Sequence, residues 1–166
     1  KAALEAGKNV VVDKPFTVTL SQARELDTLA KQQGKLLSVF HNRRWDSDAL
    51  TMKRIIKTRE IGSIHRFESR FERFRPEINM DSWREDNAVE QGGGLLLDLQ
   101  THLIAGAIDL FGPAEVSYCS MRKIRGGNED DCDTQILCQP RSDIGAGQPV
   151  AQVQIDQRQS DPLIGE

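Results

Sequence analysis

Residues 7–15, Gly-Lys-Asn-Val-Val-Val-Asp-Lys-Pro, decide the fold class of this chain. Gly7 ends the helical pattern of residues 1–6, because glycine readily takes the left-handed conformation of a helix C-cap. The apolar, β-branched run at 10–12 has no polar alternation, which predicts a strand buried on both faces, as in a parallel sheet. The strand should end before Pro15, which has no N–H to donate to a ladder.

A helix and a second strand follow this stretch. Thr19 or Ser21 can cap a helix whose apolar residues recur every three to four positions up to Gly34. Residues 36–40, Leu-Leu-Ser-Val-Phe, predict a second buried strand. Helix, strand, helix and strand joined by short connections are typical of a doubly wound α/β fold, so we assign residues 1–42 to the end of such a domain.

After residue 42 the pattern changes to that of an α+β domain. The predicted elements are a helix at 48–58, a long strand at 63–75, a polar loop at 76–91, a helix that ends at Phe111, and strands at 115–121, 134–139 and 150–155. Strands that follow one another without intervening helices predict a mostly antiparallel sheet that carries helices on one face. We assign residues 43–166 to this second domain; the family resemblance described below implies that it binds the substrate and forms the dimer.

Composition excludes several classes of protein. The net charge of −3 and the pI near 5.7 argue against a nucleic-acid partner, because binding phosphates normally needs a basic face. No apolar run approaches the length of a membrane helix, and nothing resembles a signal peptide. Cys119, Cys132 and Cys138 lack the paired spacing of a zinc site or a disulfide framework, so we expect reduced thiols in a cytoplasmic protein.

The two ends of the chain suggest a fragment. The sequence opens at Lys1 without a Met and already inside a helix, so we expect that residues upstream are missing. We also expect the second sheet to continue beyond Glu166, because a sheet of this size usually has more strands.

Asp98-Leu-Gln-Thr-His102 is the most informative local feature. A spacing of four places the two side chains on one helical face, where a carboxylate can orient an imidazole and raise its basicity. Such a pair can take a proton from a hydroxyl while its carbon loses hydride. The alternative is a surface ion pair. The glycines at 92–94 either let a ligand approach closely or form a flexible loop.

Basic residues follow both predicted N-terminal strands. Lys14 lies at the carboxyl end of the first strand, where doubly wound folds bind ligands, and can donate hydrogen bonds to a substrate hydroxyl or to a nicotinamide. It can equally be an ordinary exposed lysine. Arg43 or Arg44 can pair with an anionic group of a cofactor or a substrate, and the residues alone do not choose between them; our candidate for the cofactor contact is Arg43.

Trp83 and Arg84 are candidates for substrate contacts. The indole can stack against a sugar or anchor the core. A metal site would need a third ligand beside Asp98 and His102, and His41 is the only plausible further histidine. We therefore predict no metal site.

Three stretches in this order resemble one known family. They are Ala-Gly-Lys-Asn-Val-Val-Val-Asp-Lys-Pro-Phe (6–16), Phe-His-Asn-Arg-Arg-Trp-Asp (40–46) and Gly-Gly-Gly-Leu-Leu-Leu-Asp-Leu-Gln-Thr-His-Leu-Ile (92–104). The chain resembles the glucose–fructose oxidoreductase, inositol dehydrogenase and rhizopine-catabolism (Gfo/Idh/MocA) family from Lys1 to about Cys138. The resemblance implies an N-terminal Rossmann domain, of which 1–42 is the remnant, followed by an α/β domain whose open sheet face is the surface of a homodimer or higher oligomer.

The resemblance also implies roles for individual residues. Lys14 and Pro15 match the family's Glu-Lys-Pro motif, whose lysine contacts substrate and nicotinamide. Asp98 and His102 match its Asp-x-x-x-His pair, with the histidine as proton acceptor. We expect the complete protein to transfer a hydride between NAD or NADP and a secondary hydroxyl of a sugar, cyclitol or related polyol. The alternatives are a non-catalytic sensor or interaction protein of the same fold and a metal-assisted hydrolase.

The sequence departs from the family pattern in three places. Asp13 replaces a glutamate, and Gln100 replaces a glycine, so its longer side chain can crowd the pocket or alter the choice of substrate. No Gly-x-Gly-x-x-Gly occurs, because the glycines at 92–94 do not follow a strand in the required way. We therefore expect this chain alone to bind NAD or NADP weakly. The sequence names neither the substrate nor the preferred dinucleotide.

Overall fold

The computed structural model describes residues 1–72, 74, 76–123, 133–140 and 150–156. Its helices are α1 (Ala2–Glu5), α2 (Leu20–Gln32), α3 (Ser47–Thr58), α4 (Trp83–Asp86) and α5 (Thr101–Phe111). Its strands are β1 (Val10–Asp13), β2 (Leu37–Phe40), β3 (Arg66–Glu72), β4 (Ala114–Arg122), β5 (Asp133–Pro140) and β6 (Val150–Asp156). Two 3-10 turns, Asn42–Trp45 and Val89–Gln91, and a π turn, Leu96–Gln100, complete the set.

The first unit is a parallel pair of strands flanked by helices, as predicted. β1 and β2 run parallel, with Val10 opposite Leu37. Thr19, not Ser21, caps α2: its hydroxyl accepts the Gln22 N–H at 3.3 Å, and the Gln22 side chain accepts the Thr19 N–H at 3.2 Å. This reciprocal capping box fixes where α2 begins.

The prediction that β1 and β2 are buried on both faces is wrong for this chain. Val11 is 71% exposed and Phe40 is 55% exposed, and both strands alternate half-buried with exposed residues. Among the described residues, β1 and β2 pair only with each other. Alternate side chains of a strand point to opposite faces, so an element is needed on each face to bury both sets.

The second unit is a four-stranded, mostly antiparallel sheet in the order β3-β6-β5-β4. β3 and β6 are parallel, whereas β6–β5 and β5–β4 are antiparallel. This arrangement confirms the predicted fold class. The boundary between the two predicted domains, 1–42 and 43–166, stays a prediction.

Helix α5 covers one face of this sheet. Leu103 and Ala107 of α5 are buried together with Leu95, and the half-buried rings of Phe67 and Phe71 pack against this cluster. Burying a side chain of this size contributes about 1.5–3 kcal/mol each, which makes the cluster the main hydrophobic core of the second unit. The alternate residues of β3 are charged and exposed, so its opposite face is polar.

Several element boundaries differ from the sequence predictions. β3 covers 66–72 rather than 63–75, and residues 73 and 75 lie outside the described residues. The predicted loop at 76–91 contains α4, whose Glu85 is buried and accepts the Asn79 N–H at 3.0 Å. A short polar segment of this kind has no hydrophobic periodicity by which to recognise a helix.

Cys119 and Cys138 are free thiols, the first exposed and the second half-buried. Cys132 and residues 157–166 lie outside the described residues, and the expectation that the sheet continues beyond Glu166 stays a prediction. In the described part of the chain, no helix combines the length and the apolar character needed to cross a bilayer.

Candidate active site

Lys14 and Asp98 form an ion pair that joins the two units. Lys14 Nζ lies 2.5 Å from Asp98 Oδ1 and also donates to the backbone carbonyl of Asp98. The two side chains are only 13% and 18% exposed. Lys14 is therefore not an ordinary surface lysine, and Asp98 is not part of a surface ion pair.

Local structure on both sides positions this pair. Lys14 directly follows β1, where its N–H donates to Asp13 Oδ1 at 2.9 Å and its bond to Pro15 is cis. Asp98 lies in the π turn Leu96–Gln100 that precedes α5. A π turn interrupts the regular i to i−4 ladder of a helix and is frequent at functional sites.

Arg84 completes the surroundings of the Asp98 carboxylate. Its Nε donates to Asp98 Oδ1 at 3.1 Å, and its guanidinium lies 4.5 Å from the centre of the Trp83 ring. The structure thus places Arg84 on the Asp98 carboxylate and Trp83 against the Arg84 guanidinium. Trp83 remains 43% exposed, so its ring has a free surface.

Glycines before Asp98 allow a backbone conformation that other residues rarely adopt. Gly92 and Gly94 have φ of 88° and 96°, in the left-handed region where residues with a Cβ are strained. The Gly94 N–H donates to the Arg84 carbonyl at 2.8 Å, which ties this segment to α4. All three glycines are buried, so they form a packed turn rather than a flexible loop.

His102 is half-buried at the start of α5, and its Nδ1 is buried without a hydrogen-bond partner among the described residues. Burial lowers the pKa of His102 to about 4, and the charges of Lys14, Arg43 and His41 act in the same direction; Asp98 opposes them weakly. The imidazole is therefore neutral at neutral pH. A neutral ring with an unpartnered nitrogen can accept a proton.

The expected orientation of His102 by Asp98 is not what the structure contains. The described contacts include no hydrogen bond between these two residues, and the pKa of His102 is lowered rather than raised. Asp98 lies in a π turn, so a spacing of four no longer aligns it with His102 as it would in a regular α-helix. Its carboxylate is held by Lys14 and Arg84 instead.

The two arginines after β2 point to different partners. Arg44 donates to Asp109 Oδ1 at 2.7 Å. The Arg43 guanidinium lies 5.1 Å from the centre of the Phe71 ring, with Asp46 3.6 Å away, and stays 51% exposed. Of the two, Arg43 has the guanidinium that is freer to meet a ligand.

A cleft of about 180 Å³ lies between α3, α5 and β3. Its lining includes His41, Arg43, Phe71, His102, Lys53 and Asp109. Lys14 and Asp98 do not line it. Gln100 does not line it either and is fully buried, so the expectation that its side chain crowds the pocket is wrong for this cleft.

Sequence reasoning missed Asp109 and Lys53, which form an ion pair beside this cleft. Asp109 lies seven residues after His102 in the same helix, a spacing that places both on one face, so the signal was present in the sequence. Within the described part of the chain, no three His, Cys, Asp or Glu side chains are grouped so that they can hold a metal ion.

Comparisons with known proteins identify the family. A sequence model described as the GFO/IDH/MocA C-terminal domain matches residues 49–146, and one described as an oxidoreductase family with an NAD-binding Rossmann fold matches residues 1–41. The chain belongs to the GFO/IDH/MocA family of oxidoreductases. The match to the Rossmann fold comes first in the chain, and the match to the C-terminal domain follows it.

Individual proteins are also similar to this chain. The uncharacterized oxidoreductase YdgJ of Escherichia coli (strain K12) is 53% identical over 142 residues, which are 85% of this chain and 40% of that protein. The scyllo-inositol 2-dehydrogenase (NADP(+)) IolW of Bacillus subtilis (strain 168) is 40% identical over 111 residues, 67% of this chain and 30% of that protein. This GFO/IDH/MocA chain thus spans well under half the length of these relatives.

A solved structure, an NAD-binding protein from Listeria innocua, superposes with a TM-score of 0.81 at 28% identity over 96% of this chain and 45% of that one.

The residues present in the GFO/IDH/MocA chain fit the reacting end of a nicotinamide cofactor, because the unpartnered Nδ1 of His102 lies near the Lys14 ammonium. The Gly-rich loop that cradles the pyrophosphate of a dinucleotide does not occur in the sequence.

Proposed function

We propose that the protein to which this chain belongs is an NAD- or NADP-dependent dehydrogenase that oxidises a secondary hydroxyl of a sugar, cyclitol or related polyol. One observation carries the proposal: a neutral, half-buried His102 with an orphaned Nδ1 lies within the electrostatic reach of Lys14. The name of the B. subtilis relative, a scyllo-inositol 2-dehydrogenase, supports a cyclitol or a similar polyol as the substrate class.

His102 acts as the general base. Its neutral ring takes the proton of the substrate hydroxyl as the carbon–oxygen double bond forms and the carbon loses hydride. The nicotinamide, when bound, supplies the acceptor for that hydride. Because the pKa of His102 lies near 4, the ring is neutral at neutral pH and has one unprotonated nitrogen before each turnover.

Lys14 stabilises the negative charge that develops on the substrate oxygen. Its ammonium is already fixed by the carboxylate and the carbonyl of Asp98, so little reorganisation is needed as the charge forms. This assigns Asp98 to the positioning of Lys14 rather than of His102. Arg84 donates to the same carboxylate oxygen as Lys14 and so helps to hold it.

Pro15, Arg43 and Trp83 stay candidates for contacts with cofactor and substrate. Arg43 is exposed next to the cleft, and Trp83 is exposed next to Arg84, as such contacts require. Assembly into a homodimer through the open sheet face also stays a prediction. On β3 that face carries exposed arginines and glutamates, which form ion pairs with each other.

The test is turnover by the complete protein with NAD and with NADP across a panel of polyols and sugars, followed by the absorbance of the reduced nicotinamide. Replacing His102 by alanine is expected to lower kcat by about 10²- to 10⁴-fold, the usual contribution of general acid–base catalysis. His65→Ala is the matched control, because His65 is exposed and lies outside the site. No turnover with any substrate would favour the non-catalytic alternative, and a fully active His102→Ala variant would remove His102 from the mechanism.

A further inference from the structure

Asp109 holds two cationic side chains from two different elements. One carboxylate oxygen accepts from Arg44 of the 3-10 turn Asn42–Trp45 at 2.7 Å, and the other pairs with Lys53 of α3. The Asp109 side chain is only 18% exposed. Burial alone would raise the pKa of this carboxyl, but the hydrogen bonds and charges of Lys53 and Arg44 hold it below its ordinary value, so it is an anion at neutral pH.

We propose that Asp109 is a positioning residue of the active site, which anchors the turn Asn42–Trp45 to helix α5 and so keeps His41 and Arg43 against His102. The inference rests on the proposed role of His102 as the base. Asp109 itself is two helical turns from His102, ~10 Å along the axis, and is not a catalytic residue.

The anchor is needed because the other polar bonds of the turn are local. The backbone bonds described for it run from Arg44 N to the His41 carbonyl at 3.2 Å and from Asp46 N to the Arg43 carbonyl at 3.3 Å. These bonds shape the turn but do not attach it to α5. The Arg44–Asp109 pair is the polar contact, among those described, that joins the turn to the helix of His102.

The Arg44–Asp109 pair affects the cleft because Arg43, the neighbour of Arg44, lines it. Arg44 is held by Asp109, while its neighbour Arg43 lies over the Phe71 ring and lines the same cleft as His41 and His102. A turn that loses its anchor moves these groups together. His102 would then lose part of its burial and the nearby positive charge of Arg43.

The charges around His102 predict the direction in which its pKa should change. Lys14 from the end of β1 and Arg43 and His41 from the turn lower the pKa of His102, whereas Asp98 raises it. The other charged groups that line the cleft are Arg44, Asp46, Asp48, Lys53, Arg70 and Asp109. Removing the Asp109 charge would by itself favour the neutral imidazole and lower the pKa of His102 further. Releasing the turn would do the opposite, because burial and Arg43 would no longer disfavour the imidazolium.

The experiment is an NMR titration of the imidazole signals in the complete protein, with the His102 signal assigned by its loss in His102→Ala. In Asp109→Asn, the His102 pKa is expected to rise from about 4 toward the ordinary histidine value of 6.5. An unchanged or lower pKa would overturn the positioning role. Glu60→Gln, which breaks the exposed Arg54–Glu60 pair at 2.6 Å, is the matched control and should leave the His102 titration in place.

A second pair of variants keeps the inference testable if Asp109→Asn does not fold. Arg44→Gln and Lys53→Gln each remove one positive partner of Asp109, but only Arg44 belongs to the turn. The His102 pKa should rise more in Arg44→Gln than in Lys53→Gln, and equal shifts would overturn the inference. The titration needs no turnover. Failure of the proposed dehydrogenase activity and failure of the Asp109 anchor are therefore seen separately.

Discussion

Replacing Lys14 by methionine tests the ion pair that joins the two units. The variant keeps the length of the side chain and removes its ammonium. Breaking a buried ion pair typically costs 3–5 kcal/mol, because a charge is left unpaired. Here Arg84 stays 3.1 Å from the Asp98 carboxylate, and Asp98 is 18% exposed, so we expect a smaller loss of about 1–3 kcal/mol in the free energy of unfolding.

The same variant should slow catalysis in a way that a loss of stability does not explain. Lys14→Met removes a fixed donor to the developing oxyanion, and such donors contribute about 10²- to 10³-fold in kcat. Because the Lys14 charge also lowers the pKa of His102, that pKa should rise in the variant. The acidic limb of the pH profile of kcat/KM should therefore move to higher pH, since the base must be unprotonated.

The assays are denaturant unfolding and, for the complete protein, kcat at saturating substrate and kcat/KM across pH. Lys31→Met is the matched control, because Lys31 pairs with Asp27 at 2.6 Å on an exposed helix surface, where both side chains are more than half exposed. Its effect on stability should stay below about 0.5 kcal/mol. Lys14→Met with the same kcat and the same stability as Lys31→Met would refute the assignment of Lys14.

Three further predictions concern stability. The folded-state pKa of His102 is lowered from 6.5 to about 4, so the unfolded state binds a proton at a higher pH than the folded state does. The free energy of unfolding should therefore fall by about 2–3 kcal/mol as pH drops from 6.5 to about 4, a range discounted for the solvent that reaches the ring. His102→Gln should lack this pH-dependent loss. Gly94→Ala should destabilise by about 1–2 kcal/mol, because a Cβ is strained at a φ of 96°; an unchanged midpoint in thermal unfolding would contradict this. Thr19→Ala should cost about 1 kcal/mol through loss of the α2 cap, and Thr19→Ser should recover most of it.

Local signals in the sequence were enough to predict the first helix and the first strand of the chain. The Gly7 stop, the apolar run at 10–12 and Pro15 correctly placed α1, β1 and the end of β1. These features act within a few residues of one another, so they can be recognised without knowledge of the fold. The burial of β1 was predicted wrongly, because burial depends on which elements cover each face of the sheet and not on the strand itself.

The candidate residues of the site could be named from the sequence, but the contacts between them could not. Lys14, Asp98, His102, Trp83 and Arg84 were identified from their positions, and the structure places Lys14 and Arg84 on the Asp98 carboxylate. The pairing of Asp98 with His102 was inferred from the period of a regular α-helix. The π turn at 96–100 changes that period, and nothing in the local sequence signals a π turn.

The role of Asp109 depends on distant residues and could not be predicted from local patterns. Its partners Arg44 and Lys53 lie in a turn and a helix that are remote in sequence, and they meet Asp109 only when α3 and the turn pack beside α5. A position on the His102 face of α5 was readable from the spacing. Which side chains oppose that face is a property of the tertiary structure.

The central claim is that a neutral His102, with its pKa depressed to about 4, is the proton acceptor in polyol oxidation. The most direct test is the pH dependence of kcat/KM for the complete protein, measured beside His102→Ala and His65→Ala. The account predicts that wild type and His65→Ala keep their activity as pH falls through 6.5 and lose it toward 4, and that this limb is absent from the residual activity of His102→Ala. An acidic limb near 6.5, or one that survives unchanged in His102→Ala, would contradict it.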